Sequence, residues 1–445
     1  MPDPLEEALD RAESAARAAG LAQFELCATE AFSLSIEASD GAVRVEERGE
    51  ERSLGIRVLD RGLGFSSTTD LGPRGIQGAV ARAQAEARMV RAAALRGFRL
   101  PPSQPRGAAF VDARTSAEPR DGLRRLAVEL EASIQSRTVV GARPITIQEA
   151  RSRFWLRTSA GHEAKESGSR AAVSVHALAK KGAEAQVGSA AASGLGLADI
   201  DARGVAQRAR DHAQSRLGAG ALRTGRRAVV FSAEVVAELL EAMIPALLGE
   251  AVDRGTSFLA RRLQVPVLGP NIDLFDEPHD PALDGATWLD GEGLPTARRI
   301  LIKGGVLVGV LDDLESAARG GRAPGAQAIR GSAEHRPRAG VHGLVLGPGR
   351  RSLAALRRDA ALYVTEISGA HTIQVDTGQL SLGIAGFELD PRGAAVRPFE
   401  GATVAGDLRT FFGPGAVLSA QTEVHGGIRT PALWVDSVDI AGPGT

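Results

Sequence analysis

The chain has 445 residues, of which 43% are hydrophobic and 24% charged, with a formal net charge of -1; this is the balance of a folded globular protein, not of a disordered or collagen-like one. A surface so nearly neutral lacks the general attraction on which nucleic-acid binders and basic membrane-surface proteins depend, and 4% aromatic residues leave little to stack against bases. The single cysteine, Cys27, excludes an internal disulfide and every cysteine-rich zinc framework, and reads as a packing residue.

The opening Met1-Pro-Asp-Pro-Leu-Glu-Glu has neither the positive stretch nor the apolar core of an export signal, and no run of about 18 apolar residues follows anywhere, so a cytoplasmic protein is expected. From Leu5 to Ala19 apolar residues recur at three-to-four spacing and Gly20 follows, which predicts an amphipathic helix. Alternating segments come next: Phe24 to Cys27, Phe32 to Glu37, Ala42 to Glu46, Ser53 to Leu59 and Gly62 to Thr69. They predict an antiparallel meander with one face covered. A helix is expected over Arg74 to Ala94, stopped by Pro101-Pro-Ser-Gln-Pro, and another over Pro119 to Ser136. Strands near Ile145–Glu149, Arg151–Arg157 and Ala171–Ala177 precede a helix from Asp199 to Arg216.

The glycine-rich Gly218-Ala-Gly-Ala-Leu-Arg-Thr-Gly is the best candidate linker, dividing the chain into residues 1–222 and 223–445. Beyond it Arg227–Phe231 reads as a strand and Ser232 as the N-cap of a helix whose interior Pro245 forces a break. A hairpin over residues 299–311 turns at Gly304-Gly305, and strands are expected at Leu362–Ile367, Thr372–Val375, Gln379–Leu389 and Ala394–Phe399. The expected fold class is α+β: a mixed α/β N-terminal domain with an antiparallel sheet, then a β-rich, barrel- or sandwich-like C-terminal domain. Between Ala318 and Gly340 no periodicity is visible, the mark of a functional or disordered loop.

Most chemical signatures are missing. The four lysines (165, 180, 181 and 303) rule out a phosphate-cradling loop, and Gly62-Leu-Gly64 and Gly194-Leu-Gly196 lack the third glycine of a dinucleotide fingerprint. Ser257 starts like a nucleophile elbow without the closing glycine, and reads as a turn hydroxyl. No two histidines stand at helical ligand spacing; His162-Glu163 reads as a solvated turn. The acids Asp273, Asp276, Glu277, Asp280, Asp284, Asp290 and Glu292, with His279, read as a solvated loop before a cation site.

At Gly55 to Asp70 (GIRVLDRGLGFSSTTD), Gly255-Thr-Ser-Phe-Leu-Ala, Asp290-Gly-Glu-Gly-Leu-Pro-Thr, Gly305-Val-Leu-Val-Gly-Val-Leu and Gly378 to Phe387 (GQLSLGIAGF), the sequence resembles the TldD/PmbA (TldE) family, in the right order over nearly the whole length. The resemblance implies a dimer enclosing a cavity in which small unfolded peptides are cleaved. It also implies, for TldD-type members, a zinc motif His-Glu-x-x-x-His and a C-terminal cysteine ligand. Here that motif falls on Leu240-Glu-Ala-Met-Ile-Pro245: both histidines are replaced, by Leu240 and Pro245, and only Glu241 stays acidic. Leucine and proline offer no electron pair to a metal, so Glu241 reads as a helix-surface carboxylate.

The pattern is that of the PmbA/TldE type, implying a metal-free, non-catalytic subunit. Its partner would be a TldD-like subunit that carries the motif and the zinc; alone, the chain would form a homodimer. The candidates for peptide binding are Arg319, Arg322, Arg330 and Arg336 of the irregular loop, for a peptide carboxylate, and Ser381 and Gly383 of a glycine-rich strand, for main-chain pairing. Two alternatives stay open: a self-sufficient peptidase or amidohydrolase with dispersed ligands such as His279, His335 or His342, and a regulatory scaffold, as the family's older gyrase-modulator label implies.

Overall fold

The computed structural model describes residues 3–90, 94–98, 110–115 and 120–442. The first helix, α1 (Pro4–Ala18), starts on Asp3, whose carboxylate accepts from Leu5 N, and buries Leu5, Ala8, Leu9, Ala12 and Ala16. The meander is simpler than its sequence suggests. Four expected segments fuse into two long strands, β1 (Phe24–Ser39) and β2 (Ala42–Asp60), paired along their length around a turn at Asp40-Gly41. The polar stretches that looked like breaks are solvent-facing ladder; residues 46–52 are exposed or partly so without leaving the strand. Then come β3 (Gly62–Thr68) and α2 (Pro73–Met89), which ends earlier than expected; the proline-rich stop after it lies outside the described residues.

Next are α3 (Arg120–Ile134), β4 (Val139–Thr158), β5 (Glu163–Lys181), β6 (Glu184–Gly194) and α4 (Ala202–Ser215). Here too two expected strands merge, into β4, while β6, an alanine-, serine- and glycine-rich strand of weak propensity, is found only by its pairing with β5. The result is one antiparallel sheet in the order β3-β2-β1-β4-β5-β6. Strand alternation decides which face the helices cover. Phe24, Leu26 and Ala28 pack with α1 and α2. Leu34, Ile36 and Ala38 on the same face of β1 pack with α3 and α4. The odd-numbered residues Glu25, Cys27 and Thr29 are left to face the second half of the chain.

That half opens with β7 (Gly225–Phe231) and α5 (Ala233–Met243), capped by Ser232 Oγ, which accepts from Val235 N at 3.3 Å. At Pro245 the helix gives way to a 3-10 turn, Ile244–Leu247, before α6 (Gly249–Arg254). Short elements follow: β8 (Leu274–Asp276), β9 (Arg299–Lys303), β10 (Val306–Leu307), α7 (Leu314–Arg319), β11 (Ala328–Ile329), β12 (Arg338–Ala339), β13 (Leu344–Leu346) and α8 (Leu353–Arg358). The loop without periodicity is therefore an ordered small hairpin, β11 with β12.

The chain ends its described course in β14 (Leu362–Ser368), β15 (Gln379–Leu389), β16 (Ala395–Asp407), α9 (Leu408–Phe411), β17 (Val417–His425) and β18 (Ile428–Ala441). Thr372–Val375, expected as a strand, is a turn: Gly369 adopts φ +87°, a 3-10 turn spans Ala370–Thr372, and Gln374 closes onto Gln379 and Gly378. Strands β18, β16, β15, β14 and β7 pair in sequence and β7 pairs back with β18, closing a ring onto which β17 adds. Helix α5 buries Val235, Val236, Leu239, Leu240 and Met243 in the core of this barrel. The α+β expectation is met in both halves.

Two glycines test the packing. A Cβ on Gly55 would lie 2.1 Å from the carbonyl oxygen of Ala333 in the other half, whereas one on Gly122 in α3 would meet nothing within 4 Å. Gly55→Ala is expected to lower the unfolding free energy in urea by about 1–3 kcal/mol. Gly122→Ala should raise it by about 0.4–1 kcal/mol.

Candidate functional site

The two halves meet on four buried ionisable side chains. Glu25 and Arg57 sit opposite each other on β1 and β2, and Arg57 Nη1 donates to Glu25 Oε2 at 2.9 Å and to Glu292 Oε1 at 2.6 Å. Arg330 Nη2 donates to Glu25 Oε1 at 2.5 Å, and Leu314 N to Glu292 Oε2 at 2.7 Å. Exposure of these four residues' side chains is 5% or less. Charges taken this far from water are tolerated only when each is paired and its remaining positions are hydrogen-bonded, which this alternation of acid and base provides. Burial pushes the Glu292 carboxyl up to about 8 despite Arg57, helped by neighbouring Asp290. Burial also raises the Cys27 thiol beside Arg330. Nearby, Ala333 N donates to Thr29 Oγ1 at 2.9 Å.

Next to this contact, between β4 and β5 on one side and the loops at residues 285–291 and 328–342 on the other, lies a cavity of about 400 Å³. Phe110, Phe154, Glu166, Asp290, Arg330 and His342 are among its lining residues. Its two carboxylates are already engaged. Glu166 accepts from Thr287 Oγ1 at 2.6 Å and Trp288 N at 2.8 Å. Asp290 accepts from the backbone N–H groups of Glu292, Leu294 and Ala328 at 2.9, 2.9 and 3.3 Å. Burial raises both, Asp290 to about 6. His342 is fixed from behind. Asp276 Oδ2 lies 3.2 Å from its Nδ1, and Asp276 Oδ1 accepts from the N–H groups of His342 and Gly343, each at 2.8 Å. Burial pulls this imidazole's pKa down, but the hydrogen bond and charge of Asp276 outweigh it and the net direction is upward.

The arginines of the 319–338 loop are placed apart. Arg322 bridges Asp253 and Asp312 and is held charged by both. Arg319 pairs with Glu250 and Glu315, and Arg336 with Glu86 across the two halves. Only Arg330 and Arg338 reach the cavity. Ser381 is exposed on β15, while Gly383 lines a separate cavity of about 250 Å³ with Ser368, Glu366 and Arg216. Sequence reasoning passed over Glu166 altogether. Asp276 and His342 stand in the sequence only as a member of a loop cluster and as a scattered ligand, because pairing over more than 60 residues leaves no local pattern; Asp290 is visible there in the cluster and in a resemblance segment, but not as a cavity residue.

Two other expectations change. His162 is not a solvated turn residue: it is 7% exposed and its Nε2 lies 3.1 Å from the Gly293 carbonyl, sealing β5 against the second half. The acidic segment from Asp273 is not a single solvated loop either; Asp273 pairs with Lys303, Asp280 with Arg429, Asp276 with His342 and Glu292 with Arg57. Ser257 is a turn hydroxyl, donating to Ala246 O and accepting from Leu259 N. His279 contacts Thr296 and His335 contacts Ser332; among the described residues, no group of three or more acids, histidines or cysteines is arranged to hold a metal.

Helix α5 carries the degenerate motif. Leu240 is fully buried in the barrel core, while Glu241 and Pro245 are exposed. A zinc ion would need nitrogen, sulfur or oxygen donors from these positions, and an aliphatic side chain and a proline ring supply none, so the residues present do not fit it. What the helix does carry is acid: Glu238, between Glu234 and Glu241, has its carboxyl pushed up to about 7 by burial and by Glu234.

Leu240→Ala is expected to destabilise the chain by about 2–5 kcal/mol, the range for a core leucine, and Glu241→Ala by less than about 0.5 kcal/mol in the same denaturant titration. Glu292 has a folded-state pKa raised above its unfolded value, so its contribution to stability is present at acid pH and is lost as pH rises through about 8. The melting temperature should fall between about pH 5 and 8 and level off above that, and Glu292→Gln should flatten the slope.

Three family models match in order: PmbA/TldA metallopeptidase domain 1 over residues 24–87, the central domain over 113–217, and the C-terminal domain over 224–442. Metalloprotease PmbA of Escherichia coli O157:H7 is 27% identical over 230 residues, covering 51% of this chain and 48% of that protein. A PmbA homolog of Haemophilus influenzae is 26% identical over 231 residues, 51% of this chain and 49% of its own. The chain thus spans about half the length of the curated relatives it matches. In fold it is similar to TldE from Thermococcus kodakarensis, at a TM-score of 0.87 and 19% identity over 99% of this chain and 100% of the other. The matches run from the first sheet through the barrel, and the chain belongs to the PmbA/TldD family of metallopeptidase-like proteins.

Proposed function

We propose that this chain is a non-catalytic, metal-free subunit of a TldD/TldE-type metallopeptidase complex, acting in the cytoplasm. Its partner would be a TldD-like subunit bearing His-Glu-x-x-x-His and the zinc, and without that partner the chain would pair with itself. Its contribution is surface that helps to enclose and bind small unfolded peptides. The observation that carries the reading is the donor set of α5 and the 3-10 turn after it, where Leu240 and Pro245 stand at the two histidine positions. No helix among the described residues is long and apolar enough to cross a membrane.

Within this reading residues 1–222 and 223–445 act as two domains, and the cavity between them takes part of the substrate. Arg330 serves it directly. Arg319, Arg322 and Arg336 serve by exchanging their present carboxylate partners for those of a peptide, and the edge at Ser381 and Gly383 serves by main-chain pairing.

The test is co-expression with a homologue that carries the intact motif. The two chains should co-purify in equal amounts, with zinc and peptide hydrolysis found only in the pair. Stoichiometric zinc and hydrolysis by this chain alone would overturn the proposal in favour of a self-sufficient hydrolase. Stable capture of another protein, with no association with the motif-bearing homologue, would favour the scaffold.

A further inference from the structure

The cavity between the halves has its unused hydrogen-bonding capacity on one side of the ledger. Glu166 and Asp290 are engaged by five neighbouring groups, as described above. The donors are not. His342 is 5% exposed, and its Nε2, opposite the nitrogen held by Asp276, is buried without a partner. Arg330 Nε is buried without a partner as well, although Nη2 of the same guanidinium pairs with Glu25. Arg338, at the exposed end of the same lining, forms no ion pair among the described residues. Buried polar atoms are seldom left unmade without a ligand to complete them.

The surroundings indicate the kind of ligand. Phe110, stacked on Trp288 with ring centroids 5.4 Å apart, and Phe154, Ile329 and Val341 give the cavity an apolar wall. At Ser152, Ser167 and Gly168 it meets a second cavity, of about 630 Å³, lined by Glu30, Phe32, Arg48 and Arg153. A chain end seated in the first cavity thus has room for its preceding residues in the second, whereas a small acid would leave the second unused.

We propose that the cavity formed by His342, Arg330 and Arg338 is a carboxylate site that takes the free C-terminal end of a short peptide. With His342 in its imidazolium form, Nδ1–H held by Asp276, its Nε2–H and the two guanidinium groups donate to the carboxylate, and the apolar wall receives the terminal side chain. Charge-assisted bonds of this kind carry selectivity because the amidated end leaves the same buried donors unmatched. This assignment rests on the peptide-binding role proposed above and names the part of the substrate that role would recognise.

The experiment is calorimetric titration of the full chain with trialanine, trialanine amide, N-acetyl-trialanine and N-acetylglutamate α-amide, which carries only a side-chain carboxylate. Trialanine and its N-acetyl form are expected to bind alike, and about ten- to a hundredfold more tightly than the amide. Arg338→Gln, an exposed change that leaves the core untouched, and His342→Gln should each weaken trialanine but not its amide, with circular dichroism and melting confirming the fold. Equal binding of acid and amide, loss on acetylation, equal binding of the glutamate probe, no binding of trialanine, or indifference to both substitutions would overturn the site. None of these readouts needs a partner subunit, so a failure to assemble with the motif-bearing homologue would count against the complex and leave this result standing by itself.

Discussion

The arrangement depends on Arg57 standing between two glutamates that come from different halves of the chain. Glu25 is supplied by the neighbouring strand, Glu292 by a loop more than two hundred residues later, and Arg330 closes the set from the β11–β12 hairpin. Each charge would be untenable alone at this depth. Together they require the open face of the first sheet to receive the loops of the barrel in one register. The cavity with His342 is a by-product of that register: its walls are a sheet on one side and loops on the other, and neither half contains it alone.

At the position where the family resemblance places a metal motif, this chain has a packing element. Helix α5 is built, capped by Ser232 and packed against β14, β17 and β18. In place of ligand-bearing residues it offers Leu240 to the core and stops at Pro245. The fold keeps the helix because the barrel needs its apolar side, whichever chemistry the polar side carries.

Much of this was legible in the sequence because periodicity is local. The opening helix, the cap at Ser232, the break at Pro245 and the Gly304-Gly305 hairpin depend on residues a few positions apart. What was not legible depends on distance. The long strands β1, β2 and β4 were cut into pieces because solvent-facing ladder looks like loop, and β6 was missed because its residues favour no strand until β5 pairs with them. His162 appeared exposed because the carbonyl it meets, that of Gly293, lies far along the chain. The site suffered most. The basic loop is visible as composition, but only the fold shows that Arg330 and Arg338 reach the cavity, while Arg319, Arg322 and Arg336 are held elsewhere by acids from other segments.

The closure of β7 onto β18 has a bearing on how the chain is made. Two strands separated by nearly two hundred residues must meet before the ring exists, whereas the first sheet is assembled from two runs of sequence neighbours, β1–β3 and β4–β6, joined where β1 pairs with β4. During synthesis, therefore, the early half can acquire its shape on the ribosome while the ring of the later half stays open until its final strand arrives. Until the segments carrying Glu292 and Arg330 have emerged and docked, Glu25 and Arg57 have only each other, on a sheet surface still open to water.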